Sequence, residues 1–315
     1  MQISAANRLR QAMKERDIIP FIGVYDVFSA AIAGRYYDGI FISGFSFAAS
    51  YYGLPDIGFI SWSDLVAFVQ RVKTLLPNHH IIVDIDDGYV DIEVACHVVR
   101  LLEAIGVAGV ILEDQKRPRK CGHFDGKLLM DTDDYLAKLN RVLDARRDLF
   151  VVARTDATEI TDILNRTQAY AATGADAILA DGIKDLSLIK KIETNIQKPI
   201  MFNQIAGGKS PQCSLTELRS LGVSLVNYST PCVFAAQTAI AQEMEWLRQH
   251  DGLLRQEGAT VKTCTGLLTE NLDRSHHTLI ESRQEIERQP AAEPERVELA
   301  NFCPLPFLSP VPALK

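Results

Sequence analysis

No two of the six cysteines in this 315-residue chain fall at the C-x₂₋₄-C spacing of a structural zinc site. Cys96, Cys121, Cys213, Cys232, Cys264 and Cys303 are scattered through an enzyme-sized chain, which speaks for a reducing compartment. No apolar run approaches the roughly 18 residues of a membrane span. The N-terminus lacks the unbroken apolar segment of a secretory signal, so a cytoplasmic protein is expected. Positive charge is in deficit: 33 Lys and Arg face 40 Asp and Glu, a formal charge of −7. That argues against nucleic acid or an anionic membrane as partner and leaves a small molecule. With 47% hydrophobic and 23% charged residues, disorder, collagen-like repeats and a coiled-coil rod are also excluded.

What is present is a repeated phrase: a helical pattern, a glycine, a few small residues, then a short apolar run. It recurs around Gly106, Gly174 and Gly222. Glycine just past a helix supplies a left-handed C′ position, and the run after it has the character of a strand buried on both faces. Eight such runs occur, near 19–25, 39–43, 80–86, 109–113, 150–155, 177–181, 199–203 and 225–229. Amphipathic stretches such as 91–105 and 161–173 separate them. Eight strands alternating with helices over about 250 residues fit an α/β (β/α)8 TIM barrel. An open doubly wound sheet is the rival, but no G-x-G-x-x-G follows the first strand. The predicted organisation is a catalytic barrel over 1–250, a helical extension over 251–289 and a proline-rich tail over 290–315. The stretch 231–249 is expected to be the eighth outer helix, with Val233, Ala236, Ile240, Met244 and Leu247 as its apolar stripe.

In such a barrel the chemistry sits at the C-terminal strand ends. The runs end on Ser43-Gly44, Asp84-Ile-Asp86, Glu113-Asp114, Arg154-Thr155-Asp156, Asp181 and Asn203. Single acids there read equally well as helix N-caps, as for Asp156, Asp185 and Ser214. Several acids and one arginine arriving on different strands favour a site. Asp84 and Asp86, two apart on a strand, share a side, and Glu113 comes from the next strand. Oxygen ligands without matching His or Cys suit Mg2+, with Mn2+ as the alternative, and Arg154 offers a fork for a carboxylate or phosphate. Beyond the fourth run, Arg119 and Lys120 flank Cys121 electrostatically, favouring a thiolate; on the residues alone, an inert thiol on a basic loop is equally admissible. Cys96 reads as core and His97 as the polar face of one helix.

Val83-Asp84-Ile-Asp86-Asp-Gly88, Glu113-Asp114-Gln115 and Lys120-Cys121-Gly122-His123 together resemble the isocitrate lyase/phosphoenolpyruvate mutase superfamily. Ser43-Gly44, Gly53-Leu54-Pro55-Asp56, Ala153-Arg154-Thr155-Asp156 and Asn203 with Gly207-Gly208-Lys209 extend the likeness over about residues 18–245. The resemblance implies Mg2+ held by Asp84, Asp86 and Glu113, with Asp56 nearby. It implies that Ser43, Gly44 and the backbone at Phe45 grip a substrate carboxylate opposite Arg154. Lys120, Cys121 and His123 mark the carbon–carbon lyase branch, Cys121 giving or taking a proton; Tyr25 and Asp56 are the candidate bases. It also implies an exchanged last helix in a homotetramer built as a dimer of dimers. Members acting on tricarboxylates carry Glu in a Pro-Glu-Ala element where this chain has Ala180-Asp181-Gly182, which puts Asp181 and Asn203 at the substrate end. The expected activity is Mg2+-dependent cleavage of a 2-hydroxy acid, a 2-substituted malate or an isocitrate-like acid, to an α-keto acid and a carboxylic acid. A phosphonomutase, phosphonopyruvate hydrolase or oxaloacetate hydrolase or decarboxylase on the same scaffold is the alternative.

Overall fold

The computed structural model describes residues 3–89 and 91–288. The tail at 290–315, with Phe302, Leu305, Phe307 and Leu308, lies outside the described residues. The chain runs β1 (Ile19–Val24), β2 (Gly39–Ile42), β3 (His80–Asp84) and β4 (Gly109–Glu113), then a small ladder of β5 (Gln115–Lys116) and β6 (Leu128–Leu129). It continues with β7 (Phe150–Thr155), β8 (Ala177–Ala180), β9 (Ile200–Gln204) and β10 (Val223–Tyr228). All but β5 and β6 form one closed parallel barrel, β10 pairing back onto β1. Helix α1 (Ala5–Glu15) precedes it. Around it follow α2 (Val27–Ala33), α3 (Gly44–Phe47), α4 (Trp62–Leu75), α5 (Ile92–Ile105), α6 (Thr132–Ala145), α7 (Ile160–Ala171), α8 (Ser187–Asn195), α9 (Leu215–Ser220), α10 (Pro231–Gln249) and α11 (Val261–Arg288).

The eight runs expected from hydropathy all become barrel strands, and the expected (β/α)8 architecture is the observed one. Side chains alternate across a strand, so every second residue faces the barrel axis. Phe21, Phe41, Ile82, Ile111, Val152, Leu179, Met201 and Leu225 form that interior cluster. Helix α1 closes its lower end with Ala5, Ala6, Leu9 and Ala12. The intervening residues (Ile40, Ile81, Val110, Val151, Ile178) face outward under the helices. Gly106 (φ 87°) and Gly222 (φ 89°) take the predicted left-handed conformation after a helix. Gly174 does not, because α7 stops earlier in a right-handed turn at Ala172.

Two expectations change. Asp86 is not on the strand with Asp84: β3 ends at Asp84, and Asp86 follows in a turn at φ 51°. Aspartate tolerates the left-handed region better than most residues, but the turn still has to be held by its surroundings. Helix α10 begins with Pro231 at its first turn as expected, yet buries none of its residues. Val233, Ala236 and Leu247 of the predicted stripe are half-buried, whereas Ile240 and Met244 are 60% and 55% exposed, with no element over them among the described residues. Helix α11, within the stretch 251–289, meets α4, with an Arg35–Glu270 ion pair between α11 and the segment after α2.

Leu9 is fully buried at the base of the barrel interior. Leu9→Ala should lower unfolding free energy by about 3 kcal/mol, the cost of a cavity that a closed barrel cannot collapse. The denaturation midpoint should fall with unchanged slope; a loss within error would mean that α1 is not part of the folded core.

Candidate active site

Continuing the inward-facing positions upward converts the apolar interior into a polar one. Phe41 leads to Ser43, Ile82 to Asp84, Ile111 to Glu113, Val152 to Arg154, Leu179 to Asp181 and Met201 to Asn203. All six end residues are buried. The strand register sets Glu113 beside Arg154 and Asn203 beside Asn227. Ser43, Phe45, Asp56, Asp84, Cys121, Gly122, His123, Arg154, Asp181 and Asn203 line one cavity of about 20 Å3 at this end.

On one side of the cavity stand Asp56, Asp84, Asp86 and Glu113. Burial pushes the Glu113 carboxyl up to about 8 despite Arg119 and Arg154 beside it. Burial raises Asp84, and it raises Asp86 well above the usual carboxylate range, with Asp56, Asp84 and Glu113 adding to the rise. Oδ1 of Asp86 is buried with no hydrogen-bond partner. Arg119, fully buried, reaches into the group: Nε lies 2.9 Å from Glu113 Oε1, Nη2 lies 3.3 Å from Asp86, and Nη1 pairs with Asp56. Among the described residues no three His, Cys, Asp or Glu groups stand in a ready-made metal cage, since this guanidinium holds the acids around itself. The donor set nonetheless fits a hard divalent cation. It is all oxygen, and it includes a buried carboxylate oxygen, Asp86 Oδ1, that accepts no hydrogen bond and has Arg119 Nη2 at 3.3 Å. Among the described residues, the Lys and Arg side chains paired with Asp56, Asp84, Asp86, Glu113, Asp156 and Asp181 are Arg119, Arg154 and Lys127.

Arg154 is a second hub, next to these acids. Its Nε donates to Asp156 at 2.9 Å, and its Nη2 lies 2.8 Å from Asp181 and 3.3 Å from Glu113. Asn203 donates Nδ2–H to Asp181 at 2.9 Å, and its Oδ1 accepts the Ser229 hydroxyl at 2.7 Å, which fixes the amide orientation. His123 accepts the Lys209 backbone N–H on Nδ1 at 2.8 Å, so its proton sits on Nε2, facing Asp181 at 3.4 Å. Gly122 is required by close approach: a Cβ there would overlap Asp181, Arg154 and Asp156. Asp114 works one layer below, accepting the Asp156 N–H at 2.9 Å and the Tyr170 hydroxyl at 2.8 Å.

Several sequence readings are corrected. Lys120 does not line the cavity; its side chain turns outward, 3.4 Å from the Asp125 carbonyl, while Arg119 turns in. Tyr25 is also absent from the lining, and burial, with Asp26 adding to the effect, holds its phenol above the usual range. Asp156 is no helix cap: Glu159 occupies the N-cap of α7, and Asp156 pairs with Arg154 and Lys127. Ser214 does cap, in a reciprocal box with Glu217. The Cys121 thiol is not acidified. Burial pushes it up to about 12, with Asp56 and Asp181 adding to the rise, because the Arg119 charge is engaged by carboxylates. Cys96 is core and His97 exposed, as expected. Asp114 and Asp156, noted in the sequence only as polar strand ends, support the site, as do Arg119, noted only for its charge beside Cys121, and Lys127, which spacing did not single out.

The chain matches the phosphoenolpyruvate phosphomutase family over residues 9–248. It belongs to that family. Among its relatives, 2-methylisocitrate lyase of Aeropyrum pernix is 31% identical over 251 residues, covering 77% of this chain and 81% of that one. The crystal structure of 2,3-dimethylmalate lyase, of the PEP mutase/isocitrate lyase superfamily, superposes with a TM-score of 0.81 at 27% identity, covering 87% of this chain and 95% of that one. Oxaloacetate acetylhydrolase with the inhibitor 3,3-difluorooxalacetate superposes with a TM-score of 0.80 at 25% identity, covering 92% and 99%.

A thiol held protonated by burial reacts slowly with alkylating agents, because the thiolate is the nucleophile. Peptide mapping after iodoacetamide should show Cys121 modified more slowly than glutathione at pH 8, with a rate still climbing at pH 10. A plateau below pH 8 would mean an acidified thiol.

Proposed function

We propose that the protein is a Mg2+-dependent carbon–carbon lyase that cuts a 2-hydroxy di- or tricarboxylate into an α-keto acid and a carboxylic acid. The observation that carries the reading is a buried, protonated thiol, Cys121, lining the same small cavity as the carboxylates Asp56 and Asp84. The likeness to 2-methylisocitrate and 2,3-dimethylmalate lyases supports it. Asp84, Asp86 and Glu113 would hold the cation, which supplies Lewis-acid stabilisation of an oxygen that gains negative charge.

The protein's own groups divide the remaining work. Ser43, Gly44 and Phe45 border the cavity where the acid end of the substrate docks, and Arg154 faces it. Of the two candidate bases only Asp56 lines the cavity, so it takes the hydroxyl proton. The C2–C3 bond then breaks, C2 becomes the carbonyl carbon of the α-keto acid, and the electron pair remains on C3. Cys121 donates its proton there. A thiol of high pKa is suited to the task, since it remains protonated until a strongly basic carbanion appears. His123 and Gly122 fix the segment that carries it. Assembly follows the same reading: the uncovered faces of α10 and α11 pair with further copies of this chain, giving a homotetramer.

Cys121→Ser should lower turnover by about 10²–10⁴ with KM little changed; wild-type turnover would remove Cys121 from the chemistry. Treatment with EDTA should abolish cleavage, restored by Mg2+, and activity unaffected by chelation would remove the metal. Phosphorus NMR with phosphonopyruvate tests the phosphonate alternative directly, since consumption of that compound faster than any malate would replace the lyase reading. Truncation after Gly258 should convert the tetramer to smaller species on a sizing column, and an unchanged tetramer would separate α11 from assembly.

A further inference from the structure

Cys121 is set in place by grips on the residues at either side of it. The Gln115 side chain donates Nε2–H to the Lys120 carbonyl at 2.7 Å and accepts the Lys120 N–H at 2.9 Å. On the other side Lys127 donates from Nζ to the Gly122 carbonyl. The same ammonium lies 2.9 Å from Asp156 Oδ1, and Asp156 accepts from Nε and Nη2 of Arg154 at 2.9 and 3.1 Å. Although burial opposes its charge, Arg154 and Lys127 hold the Asp156 carboxyl below the usual carboxylate range. The Lys127 side chain is 3% exposed, and the residue directly precedes β6, whose pairing with β5 anchors it. Lys127 is absent from the lining of the small cavity that Cys121 and Arg154 share, so it acts there through its partners. It borders instead a second cavity of about 390 Å3, which reaches the exposed Lys184 and Asp185 and so opens to solvent.

We infer that Lys127 is a positioning residue that ties the proton donor Cys121 to Arg154, its one ammonium holding the Gly122 carbonyl and the Asp156 carboxylate together. Cys121 as proton donor belongs to the lyase reading above, on which this inference rests. Without the ammonium, Arg154 is the one Lys or Arg side chain left paired with Asp156 among the described residues, and a buried carboxylate that loses a partner is costly to keep in place. The Gly122 carbonyl is released at the same time, so Cys121 and Arg154 no longer share a fixed frame. A misplacement of about 1 Å between reacting groups costs on the order of 10²-fold in rate.

Lys127→Ala removes the atoms of n-propylammonium, so that cation can refill the place by way of the second cavity. On the full chain with Mg2+, the variant should lose about 10²-fold in kcat with KM within about 3-fold of the wild type. Added n-propylammonium should restore kcat at least ~10-fold, whereas 1-propanol, which fills the space without the charge, should not. Cys121 of the variant should also react with iodoacetamide at least ~10-fold faster than in the wild type, and n-propylammonium should slow it again. A lysine that only stabilised the fold would lower the melting temperature and leave both rates of the folded protein unchanged. An unchanged kcat or alkylation rate in the folded variant therefore overturns the inference. So does a loss that n-propylammonium fails to restore or that propanol restores equally. If Lys127→Ala does not fold, Lys127→Met keeps the volume without the charge and should show the same fall in kcat and rise in alkylation, their absence again overturning the inference. Absence of cleavage by the wild type with every malate and isocitrate would count against the lyase reading, and the alkylation arm, which needs no turnover, would then decide whether Lys127 holds the Cys121 segment.

Discussion

A β-strand shows alternate residues to opposite faces, and in a closed barrel one of those faces has no exit except the two ends. Every inward position must therefore be filled by its own side chain or meet what enters from the end. At the lower end α1 supplies Leu9 and three alanines as a plug. At the upper end the same two-residue step that stacks Ile82, Ile111, Val152 and Leu179 delivers Asp84, Glu113, Arg154 and Asp181. The polar cluster is thus the continuation of the core, and the rigidity of the core is lent to it.

Charges crowded this closely need a network to fix them, and the structure builds it in two directions. From below, Asp114 takes the Asp156 N–H and the Tyr170 hydroxyl, so the backbone that carries Arg154 is anchored in the interior. From above, the segment 119–123 brings Arg119 among the acids, sets Cys121 on the cavity and passes Gly122 where no side chain fits. Only a fully charged, forked guanidinium can serve several carboxylates at once in this way.

Most of the barrel was legible in the sequence because its signal is local: strand hydropathy, glycine after a helix, and an acid or amide at each strand end. The carboxylates, Arg154, Asp181 and Asn203 converge as expected for that reason. What was not legible depends on three-dimensional neighbours. Lys120 and Arg119 are adjacent in sequence, and only the path of the loop decides which one turns inward. At Cys121 the sequence left a thiolate and an inert thiol both open, because it shows only the charges of chain neighbours, whereas burial, with Asp56 and Asp181 adding to the rise, keeps the thiol protonated. The position of Asp86 after the strand, rather than on it, depends on a left-handed turn that spacing cannot show. The uncovered stripe of α10 shows the same limit: periodicity identifies an apolar face without saying which surface covers it.

The carboxyls crowded at the upper end tie the stability of the whole barrel to that site. Burial raises Asp84, Asp86 and Glu113 above their ordinary range, so keeping these three ionised in the folded chain costs free energy that unfolding would release. Any ion that binds the folded form alone raises its melting temperature by mass action. Occupancy of the site is thereby written into the heat capacity trace of the protein, where it can be followed without any reaction taking place.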